Sequence, residues 1–140
     1  MIRHSFYIEQ YGWRITTFFE VTPYDIREIL WHLKRIHTPK AELVTSAVNI
    51  MRGKLNNGIT RTGPYDRETI MIVGKASSGA EFFNSLFHEV RHVEEQVEPL
   101  LGIDPKSEQA AYFRGGIARE IFPHISHLLC ECCRKKLKPH

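Results

Sequence analysis

The segment FFNSLFHEVRHVEEQ, residues 82–96, contains the pentapeptide H-E-V-R-H at 88–92, in which two histidines bracket a glutamate. Upstream, residues 78–81 read S-G-A-E and match the capping box S-x-x-E, and Gly102 can end a helix, so the sequence predicts one long helix between them. Histidines four residues apart lie one above the other on a helix. The pentapeptide is therefore either a metal-binding motif or the polar side of an ordinary helix.

The apolar residues of this predicted helix lie on the side opposite the histidines. At about 100° per residue, one arc collects Phe82, Leu86, Val90, Val93 and Val97, with Phe83 and Phe87 just beyond it. This arrangement argues against histidines satisfied inside the core. It is typical of a helix with one face in the core and the other toward a substrate, and a plainly exposed polar face fits equally well.

Zinc chemistry suits this spacing. Zinc binds nitrogen ligands at about 2.0–2.1 Å in a tetrahedral arrangement, and histidines at i and i+4 can converge on one ion. Glu89 follows His88 directly and is rotated about 100° from it, so its carboxylate can flank the ion and accept a proton from water. Catalytic zinc sites commonly use three protein ligands plus water, so His88 and His92 need a third ligand.

A fourth helix, predicted to begin at Asp104-Pro105 and to kink or break at Pro123, supplies the candidate. Glu108 lies fifteen or so residues beyond the second histidine, after a loop that reverses the chain. One face of this helix is predicted to contain Glu108, Ala111, Tyr112, Gly115 and Arg119. The small residues on this face permit the close approach of a neighbouring helix. We therefore predict Glu108 as the third ligand, against the alternative of an ordinary first-turn glutamate favoured by the helix dipole. The glutamates on the histidines' own helix are poorer candidates: Glu94, Glu95 and Glu98.

The remaining segments predict a mixed order of strands and helices. Residues 5–21 are rich in aromatic and β-branched types around a turn near Tyr11-Gly12 and predict two short strands. Two helices follow, over 23–37 and from 39 to the turn at 56–58. Residues 59–74 contain a turn and an apolar run typical of a buried strand. The order is a hairpin, two helices, strands and two helices, in a single domain spanning residues 1–140.

H-E-V-R-H at 88–92, followed by E-Q-A-A-Y at 108–112, resembles the gluzincin branch of the zincin metallopeptidases, in particular its small single-domain members found on phages and mobile elements. The resemblance covers about residues 70–119. It implies an α+β fold of minimal zincin-like type, with a small, mainly antiparallel sheet packed on helices and a motif helix followed by a glutamate-bearing helix. It also implies zinc held by His88, His92 and Glu108, with Glu89 as the catalytic general base. For a transition-state stabiliser the sequence offers Tyr112, which can equally be a core or interface tyrosine.

Composition fits a soluble globular chain. Of 140 residues, 42% are hydrophobic and 25% are charged, which is far from the composition of disordered chains. We find no apolar run long enough to cross a membrane and no secretory signal, so we expect a cytoplasmic protein without a membrane partner.

The C-terminal segment 122–140 is predicted to be a helical tail that carries cysteines and histidines. Cys130, Cys132 and Cys133 are odd in number and crowded at the C-terminus, which is not typical of a disulfide framework, and we expect reduced thiols. With His124 and His127 they form a second candidate metal site, although their spacing lacks the paired C-x₂-C of zinc knuckles and favours buried cysteines.

These patterns predict a zinc-dependent metallopeptidase acting on a peptide or protein. The first alternative is a non-enzymatic zincin-like binding module that keeps the fold, with or without the metal, and lacks turnover. The second is a nucleic-acid-associated regulator, suggested only by a pI near 8.8 and the basic stretch at 134–138. A solvated tail explains that stretch better, so we do not expect a nucleic-acid partner.

Overall fold

The computed structural model describes residues 1–53 and 58–129. Within them the chain forms four strands and four α-helices, in the order β1 (Ile2–Ile8), β2 (Trp13–Val21), α1 (Ile26–Arg35), α2 (Lys40–Met51), β3 (Ile59–Gly63), β4 (Glu68–Gly74), α3 (Gly79–Leu101) and α4 (Glu108–Ile125). Short 3₁₀ turns lie before α1 and after α4, at Pro23–Asp25 and Ser126–Leu128. The predicted α+β class and the order of elements are confirmed.

The four strands form one mixed sheet in the order β1-β2-β4-β3. The pairs β1–β2 and β3–β4 are antiparallel hairpins, whereas β2 and β4 run parallel. A parallel pair needs a long crossover, and here α1, α2 and β3 lie between the two strands in sequence. All seven residues of β4 are buried, as its unbroken apolar run indicates for a strand covered on both faces. Strands β1 and β3 are the edges.

Each face of the sheet carries its own core. One contains side chains from α3 and α4, and the other contains side chains from α1 and α2. On the second face, buried Glu68 accepts hydrogen bonds from Arg35 at 2.9 and 2.6 Å and from Thr16 at 2.9 Å, which ties α1 to β4. Burial acts to raise the pKa of Glu68, but these hydrogen bonds outweigh it, so the pKa lies below its usual value and the ion pair stays charged.

Helix α3 begins and ends where the sequence predicts. The Ser78 hydroxyl accepts a hydrogen bond from the Glu81 backbone N–H at 3.2 Å, and Gly102 ends the helix in the left-handed conformation at φ 69°. The predicted apolar arc is confirmed as core: Phe82, Leu86, Val90, Val93 and Val97 are all buried. Phe87, just outside the arc, is exposed.

Helix α4 corrects three expectations. It begins at Glu108 and not at Asp104-Pro105, because the Ser107 hydroxyl caps the Ala110 N–H at 3.2 Å and residues 104–107 form a turn. It also continues past Pro123 to Ile125. Its core-facing side is Ala110, Phe113, Ile117, Ile121 and Ile125, so the small residues predicted to face α3 lie outside. Burying the larger apolar side chains removes more apolar surface from water, which explains this choice of face.

In the described part of the chain, none of the helices combines the length and the apolar composition that a bilayer crossing requires. The predictions for the turn at 56–57, for Cys130, Cys132 and Cys133, and for the basic stretch at 134–138 fall on residues outside those described.

Candidate metal centre

The structure brings three potential ligands of the motif together. His88, Glu89 and His92 each offer one ligand atom, and these three atoms lie within 4.8 Å of one another. Residues 1–53 and 58–129 contain no other such group of histidine, cysteine and carboxylate side chains. The Nε2 atoms of the two histidines are 3.1 Å apart. Two nitrogens on one tetrahedral zinc lie about 3.3–3.4 Å apart, given zinc–nitrogen bonds of about 2.0–2.1 Å. The observed spacing therefore fits a shared zinc ion closely.

The histidines reach this geometry because the opposite face of α3 is buried. His88 is exposed and the His92 side chain is 41% exposed, so both can meet an ion from solvent. Their rings contact edge to face, with centroids 4.7 Å apart. The 3.1 Å approach of their Nε2 atoms fits either a hydrogen bond between the rings, with its direction set by the tautomers, or a cation held by both nitrogens.

Glu95 supports the second histidine. Its Oε2 lies 3.5 Å from His92 Nδ1, and Arg91 Nε donates a hydrogen bond of 3.0 Å to the other carboxylate oxygen. A carboxylate beside Nδ1 favours the tautomer with the hydrogen on that nitrogen, which leaves the Nε2 lone pair for a metal. From the sequence Glu95 was only a poorer ligand candidate, although its i, i+3 spacing from His92 is the signal for this position beside the ring.

Glu89 is turned inward beneath strand β3. Its side chain is only 2% exposed, and the Thr60 hydroxyl donates toward Glu89 Oε2 at 3.5 Å and toward the Glu89 carbonyl at 3.4 Å. Gly58, at φ 69°, packs on the same side chain: a Cβ there would lie 2.7 Å from Glu89 Cγ and 2.3 Å from the Ile72 carbonyl oxygen. Only glycine fits this position. Neither Gly58 nor Thr60 was found from the sequence.

The pKa of Glu89 is raised from its usual 4.5 to about 7 because burial disfavours the charged carboxylate. The Thr60 hydrogen bond and the charge of Arg61 oppose this rise without cancelling it. A carboxyl group with a pKa near neutrality can both accept and release a proton at neutral pH, which is what a general base requires.

This burial predicts a pH-dependent stability for the metal-free protein. The pKa of Glu89 is higher in the folded than in the unfolded protein, so the unfolding free energy falls as the pH rises from 4.5 to about 7. Above pH 7 the unfolding free energy stays at this lower value with respect to Glu89. The interval corresponds to about 3 kcal/mol at most. Glu89→Gln should therefore raise the unfolding free energy, measured by urea denaturation in chelator, by up to about 3 kcal/mol at pH 8 and hardly at all at pH 4. An equal effect at both pH values would contradict the burial argument.

Strand β3 lies beside the motif helix and is fixed to it by Gln96. Gln96 Nε2 donates to the Thr60 carbonyl at 3.1 Å, and the Thr62 hydroxyl donates to Gln96 Oε1 at 2.7 Å. Among the described strands β3 pairs only with β4, so it is an edge strand, and Gln96 already occupies its Thr60 carbonyl. The candidate centre therefore adjoins an edge of the sheet.

The structure does not bring Glu108 to the histidines. Arg114 of α4 donates two hydrogen bonds of 2.7 Å to Glu94, so α4 contacts the side of α3 about 160° around the helix from His92. Glu108 is exposed in the first turn of α4 and does not belong to the three-residue cluster. The expected packing of the small-residue face is also wrong, because a Cβ at Gly115 would meet no atom within 4 Å.

Two further sequence predictions lie away from the cluster. Tyr112 is 77% exposed and lines a groove of about 480 Å³ between β1 and α4, so it is not a core residue. His124 stacks on His4 with ring centroids 3.8 Å apart, while His127 Nε2 lies 3.4 Å from Glu20 Oε2. Within the described range these two histidines do not form a metal-binding group.

Comparison of the chain with family models, with curated proteins and with solved structures gave no match. We therefore infer function from the geometry of His88, Glu89 and His92. That geometry combines two converging imidazole nitrogens with one buried carboxyl group.

Proposed function

We propose that this chain is a zinc-dependent metallopeptidase with a zincin-like fold, in which His88 and His92 bind the metal and Glu89 is the general base. The observation that carries the proposal is the 3.1 Å approach of the two Nε2 atoms, with the Glu89 carboxyl group within 4.8 Å of both histidines. Imidazole pairs with this spacing suit zinc, and a carboxyl group beside them suits proton transfer.

The chemistry divides between the metal and the side chains. Zinc, when bound, supplies a Lewis acid that polarises the scissile carbonyl and lowers the pKa of water. Glu89 takes the proton of the attacking water and later gives it to the leaving amine. Thr60 and Gly58 fix the position of the Glu89 carboxyl group, and Glu95 fixes the His92 ring.

The edge position of β3 supports a peptide substrate. An extended peptide can add to an exposed strand through main-chain hydrogen bonds, and β3 lies against the motif helix. A peptide bound there would run along the side of α3 on which Glu89 contacts Thr60.

Glu108 is not included in this proposed centre. Its exposed position on α4, and the contact of α4 with the far side of α3, argue against the His₂Glu set that the gluzincin resemblance implies. The proposal therefore rests on two histidines, with Glu89 as the adjacent carboxyl group.

Metal analysis of protein purified without added metal tests the proposal. We expect about one zinc per chain, removed by a chelator, and cleavage in a broad peptide library that stops with the chelator and returns with zinc. Protein that neither carries zinc nor takes it up would overturn the proposal.

A non-enzymatic zincin-like module is the second candidate. It is favoured by one observation: Tyr112, the stabiliser candidate from sequence, lies on the β1 side of α4 and away from the histidines. Full zinc occupancy without cleavage of any peptide would favour it. The hypothesis of a nucleic-acid-associated regulator is supported only by amino-acid composition. Salt-dependent retention of the protein on DNA would test it.

A further inference from the structure

An acidic recess lies beside α3, at the end that leads into the α3–α4 loop. It has a volume of about 240 Å³. Three carboxylates line it, Glu94, Glu95 and Glu98, together with one guanidinium group, that of Arg91. Its apolar wall is formed by Pro99, Ile103 and Pro105. The recess thus combines aliphatic surface with an excess of acidic groups.

In the described part of the chain, Glu98 is the carboxylate of this recess that has a buried oxygen atom without a hydrogen-bond partner. It is only 3% exposed, and its Oε2 is buried without a hydrogen bond. The two nearby guanidinium groups are already used, because Arg114 binds Glu94 through two bonds of 2.7 Å and Arg91 binds Glu95 at 3.0 Å. Three carboxylates therefore face two guanidinium groups, and Glu98 is left over.

An unpaired buried carboxylate is costly, and the cost is removed when a cation arrives. Burial and the charge of Glu94 raise the pKa of Glu98, and the charges of Arg114 and Arg91, which are bound to other carboxylates, oppose this rise without cancelling it.

We propose that this recess binds an alkylammonium group, such as the end of a lysine side chain, through Glu98. The ammonium supplies three hydrogen-bond donors to the carboxylates, and its methylene stem can pack against Pro99, Ile103 and Pro105. A directly bound metal ion fits less well, because in the described part of the chain only the motif cluster places three ligand atoms within reach of one another.

The recess is connected to the candidate centre through Glu95, which lines the recess and lies 3.5 Å from His92. A lysine bound at Glu98 would belong to a polypeptide that passes close to the histidines. This link to a substrate rests on the proposed function, whereas the binding of the ammonium group does not.

Nuclear magnetic resonance titration of the ¹⁵N-labelled full chain, as purified, tests the proposal at pH 7.5. The probes are Nα-acetyl-lysine-N-methylamide and its uncharged counterpart Nα-acetyl-norleucine-N-methylamide. We expect the lysine probe to shift backbone amide signals of residues 91–105 with a millimolar Kd and to bind at least about tenfold more tightly than the norleucine probe. No shift with the lysine probe, or equal affinity for both probes, would overturn the proposal.

The variant Glu98→Gln keeps the shape of the side chain and removes its charge, and it should abolish the preference for the lysine probe. Glu42→Gln is the control, since Glu42 is exposed on α2, across the sheet from the recess. A Glu98→Gln protein that keeps the preference would show that Glu98 is not the site. A third titration, with n-butylammonium, separates the two sources of the amine: tighter binding of the lysine probe assigns the recess to a polypeptide, and equal binding assigns it to a free amine.

Discussion

Replacing either motif histidine with alanine is expected to remove zinc from the protein. In His88→Ala or His92→Ala only one of the two converging nitrogens remains, and a single imidazole on a helix surface cannot hold zinc against dilution. Elemental analysis should fall from about one zinc per chain to below about 0.1. The fold should survive, because His88 is exposed and His92 is outside both cores.

Two control variants locate the metal. His37→Ala removes a histidine whose side chain is 79% exposed and pairs with Asp66, and it should leave the zinc content unchanged. Glu108→Ala should also leave the zinc affinity unchanged, because Glu108 does not belong to the cluster of His88, Glu89 and His92. A lower affinity in Glu108→Ala would restore the third ligand predicted from sequence. Stoichiometric zinc in the double histidine variant would place the metal elsewhere and remove the basis of the peptidase proposal.

The motif helix could be predicted in detail because its signals are local. Ser78 and Gly102 mark its ends, and the apolar arc determines which side meets the core. The positions of His88 and His92 on the opposite side follow directly from helical spacing. Hence the two converging imidazoles of the candidate site could be predicted from the sequence.

The features that could not be predicted from the sequence depend on contacts between segments that are distant in the chain. The orientation of α4 about its own axis is determined by Phe113, Ile117 and Ile121, whose burial outweighs the close approach permitted by Ala111 and Gly115. The parallel pairing of β2 with β4 has no local signal either. The orientation of α4 determines where Glu108 lies, and neither feature can be deduced from the spacing of residues along one helix.

The surroundings of Glu89 were missed for the same reason. Gly58 and Thr60 contact it only because β3 lies at the edge of the sheet beside α3. A glycine after a turn and a threonine in a short strand are common in any sequence. Their significance comes from the buried carboxyl group, which no local pattern places beneath β3.

Glu89→Gln is expected to retain zinc and to lose peptide cleavage by at least about 10²-fold, the lower end of the contribution of a general acid–base group. Glutamine preserves the shape of the side chain between Gly58 and Thr60, but it cannot accept the proton of the attacking water. Metal content and turnover should be measured on the same preparation, with Glu81→Gln, an exposed glutamate in the first turn of α3, as the matched control.

The two measurements together separate a base from a ligand. Zinc retained with cleavage lost assigns Glu89 to proton transfer. Zinc lost together with cleavage would instead make Glu89 the third ligand, which its position within 4.8 Å of both histidines also permits geometrically. The site would then lack a base, and the non-enzymatic module would be the better description. Unchanged cleavage in Glu89→Gln would contradict the mechanism outright, because no other carboxyl group of the described residues shares the cluster.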